Sequence, residues 1–306
     1  MKDFLFIFAF LHFATAKKPI AITALNHYND IINSDLSQHN TKFKGGNMAK
    51  ETIKITYVSC MGVLINYNDK NILIDSIVSP NILPYQTVPK QTLLNMLKKN
   101  EPFEKIDLIL ITHEHREHFQ PDLVCQILSA CPEARLVAPK AVIASLQQSR
   151  FYKESFVTQL ISLDMDLNKS IELTLAGIRI DALRLAHDDE MQSFDIQNIA
   201  YLLHLGTHRL LHVGDAAAVA EDFKNNELFS KGVTTLVVPF IYVIAETGVE
   251  SILALKPVHL VALHFPLKEH DKLNRYANAE EIKNATASPL PSSTHFLTEC
   301  MQSITL

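Results

Sequence analysis

The chain has no basic excess: 28 Lys and Arg stand against 33 Asp and Glu, a formal net charge of -5 over 306 residues. Without surplus cations a protein cannot neutralise a run of phosphates, so a dedicated nucleic-acid binder is not expected. Any anionic substrate must then be met by metal charge and local side chains. Cysteine is scarce as well. Cys60, Cys125, Cys131 and Cys300 show no zinc-type spacing and are too few for a disulfide scaffold. Cys125 and Cys131 are expected on one helix, where a separation of six suits bridging poorly, so buried thiols are the reading. Long apolar runs are also rare. Residues 4–13 form one, behind Lys2 and ahead of Ala14-Thr15-Ala16. That run is too short to span a bilayer but matches a signal-peptide core with a small-x-small cleavage site. Asp3 offsets Lys2, and Lys17-Lys18 follow the proposed cut, so a buried N-terminal helix is the alternative. Export, to the periplasm or outside the cell, is expected if the signal operates, and a cytoplasmic location otherwise. No other stretch is apolar and long enough for a stable membrane span.

Hydrophobic residues make up 47% and charged residues 20%, an ordinary globular balance. The expected organisation is a signal peptide over 1–16, a leader or linker over 17–49 and one domain over 50–306. Lys44-Gly45-Gly46-Asn47 reads as the flexible boundary. Beyond it come short β-type runs at 53–58, 62–65 and 71–75, with a turn at Tyr67-Asn68-Asp69-Lys70. Residues 106–112 form a continuous apolar run, the pattern of a strand buried on both faces. Pro121 then opens a helix carrying Leu123, Val124, Ile127 and Leu128 at helical spacing. Further strands are predicted at 171–175, 178–185, 199–205, 209–213, 234–240 and 259–265. Hairpins turn at Ala176-Gly177 and Gly206-Thr207, and helices are predicted at 91–99, 139–149 and 246–255. There is no internal repeat. Many strands with interspersed helices predict two packed sheets flanked by helices, an α/β sandwich.

One segment carries chemistry. The buried strand runs into Thr112-His113-Glu114-His115-Arg116-Glu117-His118. A strand ending in a loop aims alternate side chains at one point, so His113 and His115 can converge, with Glu117 and His118 arriving from the bend before the helix. Imidazole and carboxylate are ligands for zinc, manganese or iron. The other histidines on or beside strands (His204, His208, His212 and His259) read as core or surface groups. Asp188-Asp189-Glu190 reads as a solvated loop, and Tyr242 and Glu246 as candidates for a substrate loop.

His-x-His-x-Glu-His resembles the His-x-His-x-Asp-His signature of the metallo-β-lactamase superfamily. Three later ligands of that family, in the order His, Asp, His, each at a strand end, are matched by His187, by Asp215 in Val213-Gly214-Asp215 and by His264 in Leu263-His264-Phe265-Pro266. Gly62 and the strand-terminal Asp75 resemble the family's opening hairpin. The resemblance covers roughly residues 50–306 and implies a four-layer αββα sandwich of two mixed sheets. It further implies a centre of two divalent metal ions, zinc first with manganese or iron as alternatives. His113, His115 and His187 would hold one ion, Glu117, His118 and His264 the other, and Asp215 would bridge them. Asp75 resembles a carboxylate that orients ligands, with a plain polar strand end as the alternative. The implied activity is hydrolysis of an ester, lactone or phosphodiester-type bond of a small molecule by a metal-bound hydroxide, with Asp215 and Glu117 as catalytic residues. The hairpin over 198–214 and Lys256-Pro257 look most like the ascorbate-6-phosphate lactonase-like branch. Flavo-diiron relatives carry glutamate where His115 stands, and no flavin domain follows here. The departure is Glu117, which stands where the family has Asp. Its extra methylene moves the carboxylate by about 1.5 Å, well beyond a ligand-distance tolerance of about 0.2 Å. Either the loop accommodates it or the second site is weak. Two other classes follow from the same residues: a metal-binding but catalytically idle sensor or scaffold, and a different reaction on this fold, thiol-ester hydrolysis or iron-dependent oxygenation.

Overall fold

The computed structural model describes residues 52–188 and 196–306. The proposed signal peptide, the leader and Asp189-Glu190 lie outside them. The described residues form two seven-stranded sheets. The first contains β1 (Ile53–Ser59), β2 (Gly62–Tyr67), β3 (Lys70–Ile74), β4 (Leu108–Leu110), β5 (Arg135–Pro139), β6 (Leu160–Leu163) and, at its other edge beside β1, β14 (Ser303–Thr305). The second runs from β7 (Ser170–Leu175) through β8 (Ile178–Leu185), β9 (Asn198–Leu205), β10 (His208–His212), β11 (Thr235–Pro239) and β12 (His259–Leu263) to β13 (Ser293–Phe296). Both are mixed. β14-β1-β2-β3 pair antiparallel and β3 to β6 parallel; β7 to β10 pair antiparallel and β10 to β13 parallel.

Period-two alternation explains why the sheets stack. Val63, Ile65, Ile72, Ile74, Leu108 and Leu110 meet Ile180, Tyr201, Leu203, Val237 and Val261 of the other sheet in one dry layer. Leu64, Leu73 and Ile109 point the other way. They pack on helices α1 (Lys90–Lys98), α2 (Pro121–Ala130) and α3 (Lys140–Gln147), through Met96, Val124, Leu128 and Val142. On the far side, Leu183, Leu202, Leu211, Leu236 and Leu260 cover α4 (Ala220–Asn225), α5 (Ile241–Ile244), α6 (Glu246–Leu255) and α7 (Arg275–Asn284). Three apolar layers thus separate four structural ones, the αββα sandwich expected. The run over 106–112 is buried on both faces as predicted, although the paired strand is only Leu108–Leu110. Four strands (β5, β6, β13, β14) and three helices (α4, α5, α7) were not expected from the sequence. Among the described residues, no helix is long and apolar enough to cross a membrane. The four cysteines are free, and all but Cys300 are buried.

The two sheets are cross-tied where their strands end. Tyr201 of β9 donates to the carbonyls of Ile111 (2.8 Å) and Val137 (3.2 Å), and the Ile199 amide donates to Thr112 O at 2.9 Å. The carboxyl ends of β3, β4, β8, β10 and β12 therefore gather along one rim. Such strand ends are where open α/β sheets present their ligand-binding groups.

Candidate metal centre

His113, His115 and His118 leave β4 on a short turn. The amides of His118 and Phe119 donate to His115 O at 3.0 and 3.1 Å, folding the motif back on itself. A bridge between His187 and Ala216, with Asp188 N to Asp215 O and Ala217 N to Ala186 O both 2.8 Å, lays the end of β8 beside the end of β10. Asp215 follows Gly214, whose φ is +62°. A Cβ there would fall 2.4 Å from Asn198 Oδ1 and 2.8 Å from Thr112 Cβ, so only glycine lets the chain pass. The buried Asn198 then fixes the turn, accepting from the Asp215 amide (3.0 Å) and donating to Val213 O (3.0 Å). His264 ends β12 with φ +64° and donates its amide to Cys60 O at 3.1 Å; Asp75 ends β3 with φ +49°. A left-handed backbone at two non-glycine residues costs on the order of 1–3 kcal/mol each. It is held by the sheet ends on either side.

Six side chains converge. His113 Nε2 lies 3.0 Å from His115 Nδ1 and 3.2 Å from His187 Nε2. His118 Nε2 is 3.1 Å and His264 Nε2 3.4 Å from Asp215 Oδ2, and His113 Nε2 is 4.0 Å from the same oxygen. Ligand atoms within 4.8 Å of one another form two groups, His113-His115-His187 and His113-His118-Asp215. Glu117 belongs to neither. It sits half-buried in the turn after His115, near enough for its charge to act on Cys60, Tyr85 and His264.

Asp75, 1% exposed, organises this cluster. Its Oδ1 accepts the Thr112 amide at 2.8 Å; its Oδ2 accepts the Thr112 hydroxyl at 2.7 Å and His118 Nδ1 at 2.9 Å. Because the Thr112 hydroxyl spends its proton on Asp75, it must accept from His113 Nδ1, 2.9 Å away. Both imidazoles thereby carry a proton on Nδ1, so His113 turns its Nε2 lone pair toward the cluster and His118 would do the same on losing its Nε2 proton, the tautomer a metal ligand needs. Burial, reinforced by the charges of the neighbouring histidines, holds the His113 pKa well below its ordinary value and keeps it neutral. Burial disfavours charge on His118 too, but Asp215 and Asp75 outweigh it and lift its pKa well above the usual range. His264, opposed by burial and raised by Asp215, reaches about 10. Asp215 is driven well below the usual carboxylate range, since His118 and His264 overcome its burial. Its Oδ1 is buried and has no hydrogen-bond partner among the described residues. Converging lone pairs around a carboxylate with an unspent oxygen fit divalent cations, which would take the place of the protons on His118 and His264.

The other sequence candidates lie elsewhere. His212 is buried and structural, with Nε2 3.0 Å from Met61 O and Nδ1 accepting the Gly214 amide at 3.2 Å. His204 pairs with Asp181 at 3.2 Å and His259 with Ser293 at 2.7 Å, and His208 is half-buried on β10. Tyr242 is not a substrate-loop residue: it is buried and donates to Ala216 O (3.1 Å) and Ala217 O (2.9 Å), buttressing the Asp215 turn from below. Glu246 is exposed at the start of α6. Tyr85 was missed. It lies in the segment 76–89 between β3 and α1, and its ring stands edge-on to His264 with centroids 4.3 Å apart. No periodicity or motif marks a tyrosine in such a loop.

A buried histidine–aspartate centre at the strand ends of an αββα sandwich defines a metal-binding protein of the metallo-β-lactamase fold. The chain belongs to the family described as the beta-lactamase superfamily domain, whose profile matches residues 70–273. No curated protein sequence matches it. Among solved structures it is similar to Igni18, a metallo hydrolase from Ignicoccus hospitalis, at 17% identity and TM-score 0.56, covering 83% of this chain and 98% of that one. The isothiocyanate hydrolase from Delia radicum gut bacteria gives 14% identity and TM-score 0.56, with 82% and 98% covered. CmlA, a diiron β-hydroxylase from Streptomyces venezuelae, gives 15% and 0.54, and this chain spans 54% of its length. At these identities the likeness is one of fold.

Proposed function

We propose that the protein is a metal-dependent hydrolase that cleaves an ester, lactone or phosphodiester-type bond of a small molecule. The observation that carries this is the convergence of His113, His115 and His187 beside His118, Asp215 and His264, with the tautomers of His113 and His118 set by Thr112 and Asp75. In this reading the first three histidines would hold one ion, His118, His264 and Glu117 would hold the other, and Asp215 would serve both. Zinc suits the imidazole-rich set, with manganese or iron as substitutes. Two such cations would bring the pKa of a bound water from 15.7 toward about 7 and polarise the scissile carbonyl or phosphoryl oxygen. Asp215, pinned through its own amide to Asn198, orients the attacking oxygen. Asp75 and Thr112 keep His118 and His113 from rotating or changing tautomer. No serine or cysteine nucleophile is needed. The lactonase-like branch is the finer assignment, resting on the hairpin over 198–214 and on Lys256-Pro257. Export through residues 1–16 is part of the same reading, with a mature chain beginning near Lys17.

A panel of esters, lactones and phosphodiesters, run on protein loaded separately with zinc and with manganese, tests the proposal. Two ions per chain and turnover of at least one substrate class are expected, and His113→Ala and His187→Ala should each hold one ion or fewer and be inactive. Full metal content in both variants would overturn the ligand assignment. A metal-loaded protein inert to the whole panel would favour the idle sensor or scaffold. Because CmlA, a diiron hydroxylase, shares the fold, oxygen uptake by iron-loaded protein is the result that would favour an oxygenase.

A further inference from the structure

The segment 76–89 is a strap across the metal-centre rim, tied at both flanks. Ile77 bridges Phe119 and accepts the Gln120 amide at 2.9 Å, and Arg116 Nη2 donates to Asn81 O at 2.6 Å, fastening it to the His113–His118 turn. Tyr85 bridges Pro266, and the Leu267 amide donates to Pro84 O at 2.8 Å, fastening it to the loop after His264. Gln86 O accepts the Cys60 amide at 3.0 Å, joining the strap to the β1–β2 turn. These ties hold the Tyr85 ring against His264. Among the described residues no hydrogen bond engages the hydroxyl, whereas the buried Tyr201 and Tyr242 each donate to two carbonyls. The edge-on contact with His264, centroids 4.3 Å apart, sets the ring on the metal-centre side of the strap. A rigidly mounted, neutral donor with an unused proton beside a metal ligand is what stabilising a developing oxyanion requires.

We propose that Tyr85 is a catalytic residue whose hydroxyl donates a hydrogen bond to the reacting oxygen of the substrate on the His264 side of the centre. The proposal rests on the hydrolase reading for the reaction but not for the contact. No covalent step passes through Tyr85: its proton is shared with the substrate oxygen and retained.

The test compares wild type with Tyr85→Phe, which keeps the ring on His264 and removes only the hydroxyl. Zinc stoichiometry and affinity, measured first, should be unchanged, which also establishes that the variant is folded. Calorimetric titration of the zinc-loaded protein with inorganic phosphate, an oxyanion probe, should show binding weakened about 10–100-fold, the range of one hydrogen bond to a charged group. With para-nitrophenyl acetate or bis(para-nitrophenyl) phosphate, whichever the wild type hydrolyses, kcat should fall about 100-fold with KM changing much less. Wild-type phosphate affinity and kcat in Tyr85→Phe would overturn the role of Tyr85 while leaving the hydrolase reading intact. A wild type that hydrolyses neither probe counts against the hydrolase reading; the phosphate titration then decides the contact alone, weakening upholding it and unchanged affinity refuting it. A wild type that neither binds phosphate nor turns over a probe overturns the proposal.

Discussion

Replacing Asp75 by asparagine changes one oxygen to an NH2 group of nearly the same size, yet it should disable two metal ligands. The Oδ1 carbonyl can keep the Thr112 amide at 2.8 Å. At the Oδ2 position, however, the new group donates, and it faces the Thr112 hydroxyl at 2.7 Å and His118 Nδ1 at 2.9 Å. His118 must then accept on Nδ1 and carry its proton on Nε2, pointed at Asp215. The Thr112 hydroxyl must reverse and donate to His113 Nδ1, 2.9 Å away, which moves the His113 proton to Nε2 as well. Losing one ligand-orienting partner typically lowers metal affinity 10–100-fold, about 1.4–2.7 kcal/mol. Here one substitution affects a ligand in each metal group, so zinc affinity at both sites should fall by about that factor. Competition with a chromophoric chelator would measure it, with mass-spectrometric metal stoichiometry alongside. Urea unfolding of the metal-free protein separates the tautomer effect from simple destabilisation. Asp75→Asn that binds two ions with wild-type affinity would refute the relay from Asp75 through Thr112 to His113.

Three further outcomes are expected. If its loop has accommodated the longer Glu117, Glu117→Asp should bind the second ion more weakly and Glu117→Ala should lose it while the first remains; a gain of both affinity and rate in Glu117→Asp, measured by stoichiometry and turnover, would show an eroded site instead. Gly214→Ala, with φ +62° and a Cβ placed 2.4 Å from Asn198 Oδ1, should destabilise the fold by about 2 kcal/mol or more in urea and displace Asp215; an unchanged midpoint and metal content would contradict the close approach. Burial would raise the pKa of Asp181, but Lys231 at 2.9 Å, helped by His204 and Arg179, lowers it below the ordinary 3.8. Its stabilisation is therefore present above that value and lost as the pH falls through the depressed one. Lys231→Met should cost about 1–2 kcal/mol at neutral pH, a deficit that shrinks in acid; a deficit independent of pH would exclude the ion pair as its cause.

The elements legible in the sequence are those whose own residues carry the burial pattern. Residues 178–185 and 246–255 stand where predicted because their apolar positions repeat at the period of the element they form. The first ligands were legible for a related reason: a strand buried on both faces must end at a rim, so His113, His115 and His118, following β4, arrive at that edge. His187, Asp215 and His264 were found through the resemblance to the metallo-β-lactamase superfamily. The missed elements lack any such pattern. β13 is Ser293-Thr294-His295-Phe296 and β14 Ser303-Ile304-Thr305, outer strands of their sheets that become strands by pairing with β12 and β1. Helix α7 buries only Ala279 and so shows no apolar stripe. β5 passes straight into α3 at Pro139-Lys140, where one short apolar run serves two elements. What the sequence by itself determined was the layer architecture and the imidazole cluster after β4, because periodicity and ligand chemistry are local properties; the resemblance added His187, Asp215 and His264. What only the tertiary structure decided was how those groups are set: that Asp75 and Thr112 choose the tautomers of His118 and His113, that Glu117 stands apart from the tight groups, and that Tyr85 comes to rest against His264. Each depends on contacts between residues tens to hundreds of positions apart, and no spacing along the chain encodes a hydrogen-bond direction across such a gap.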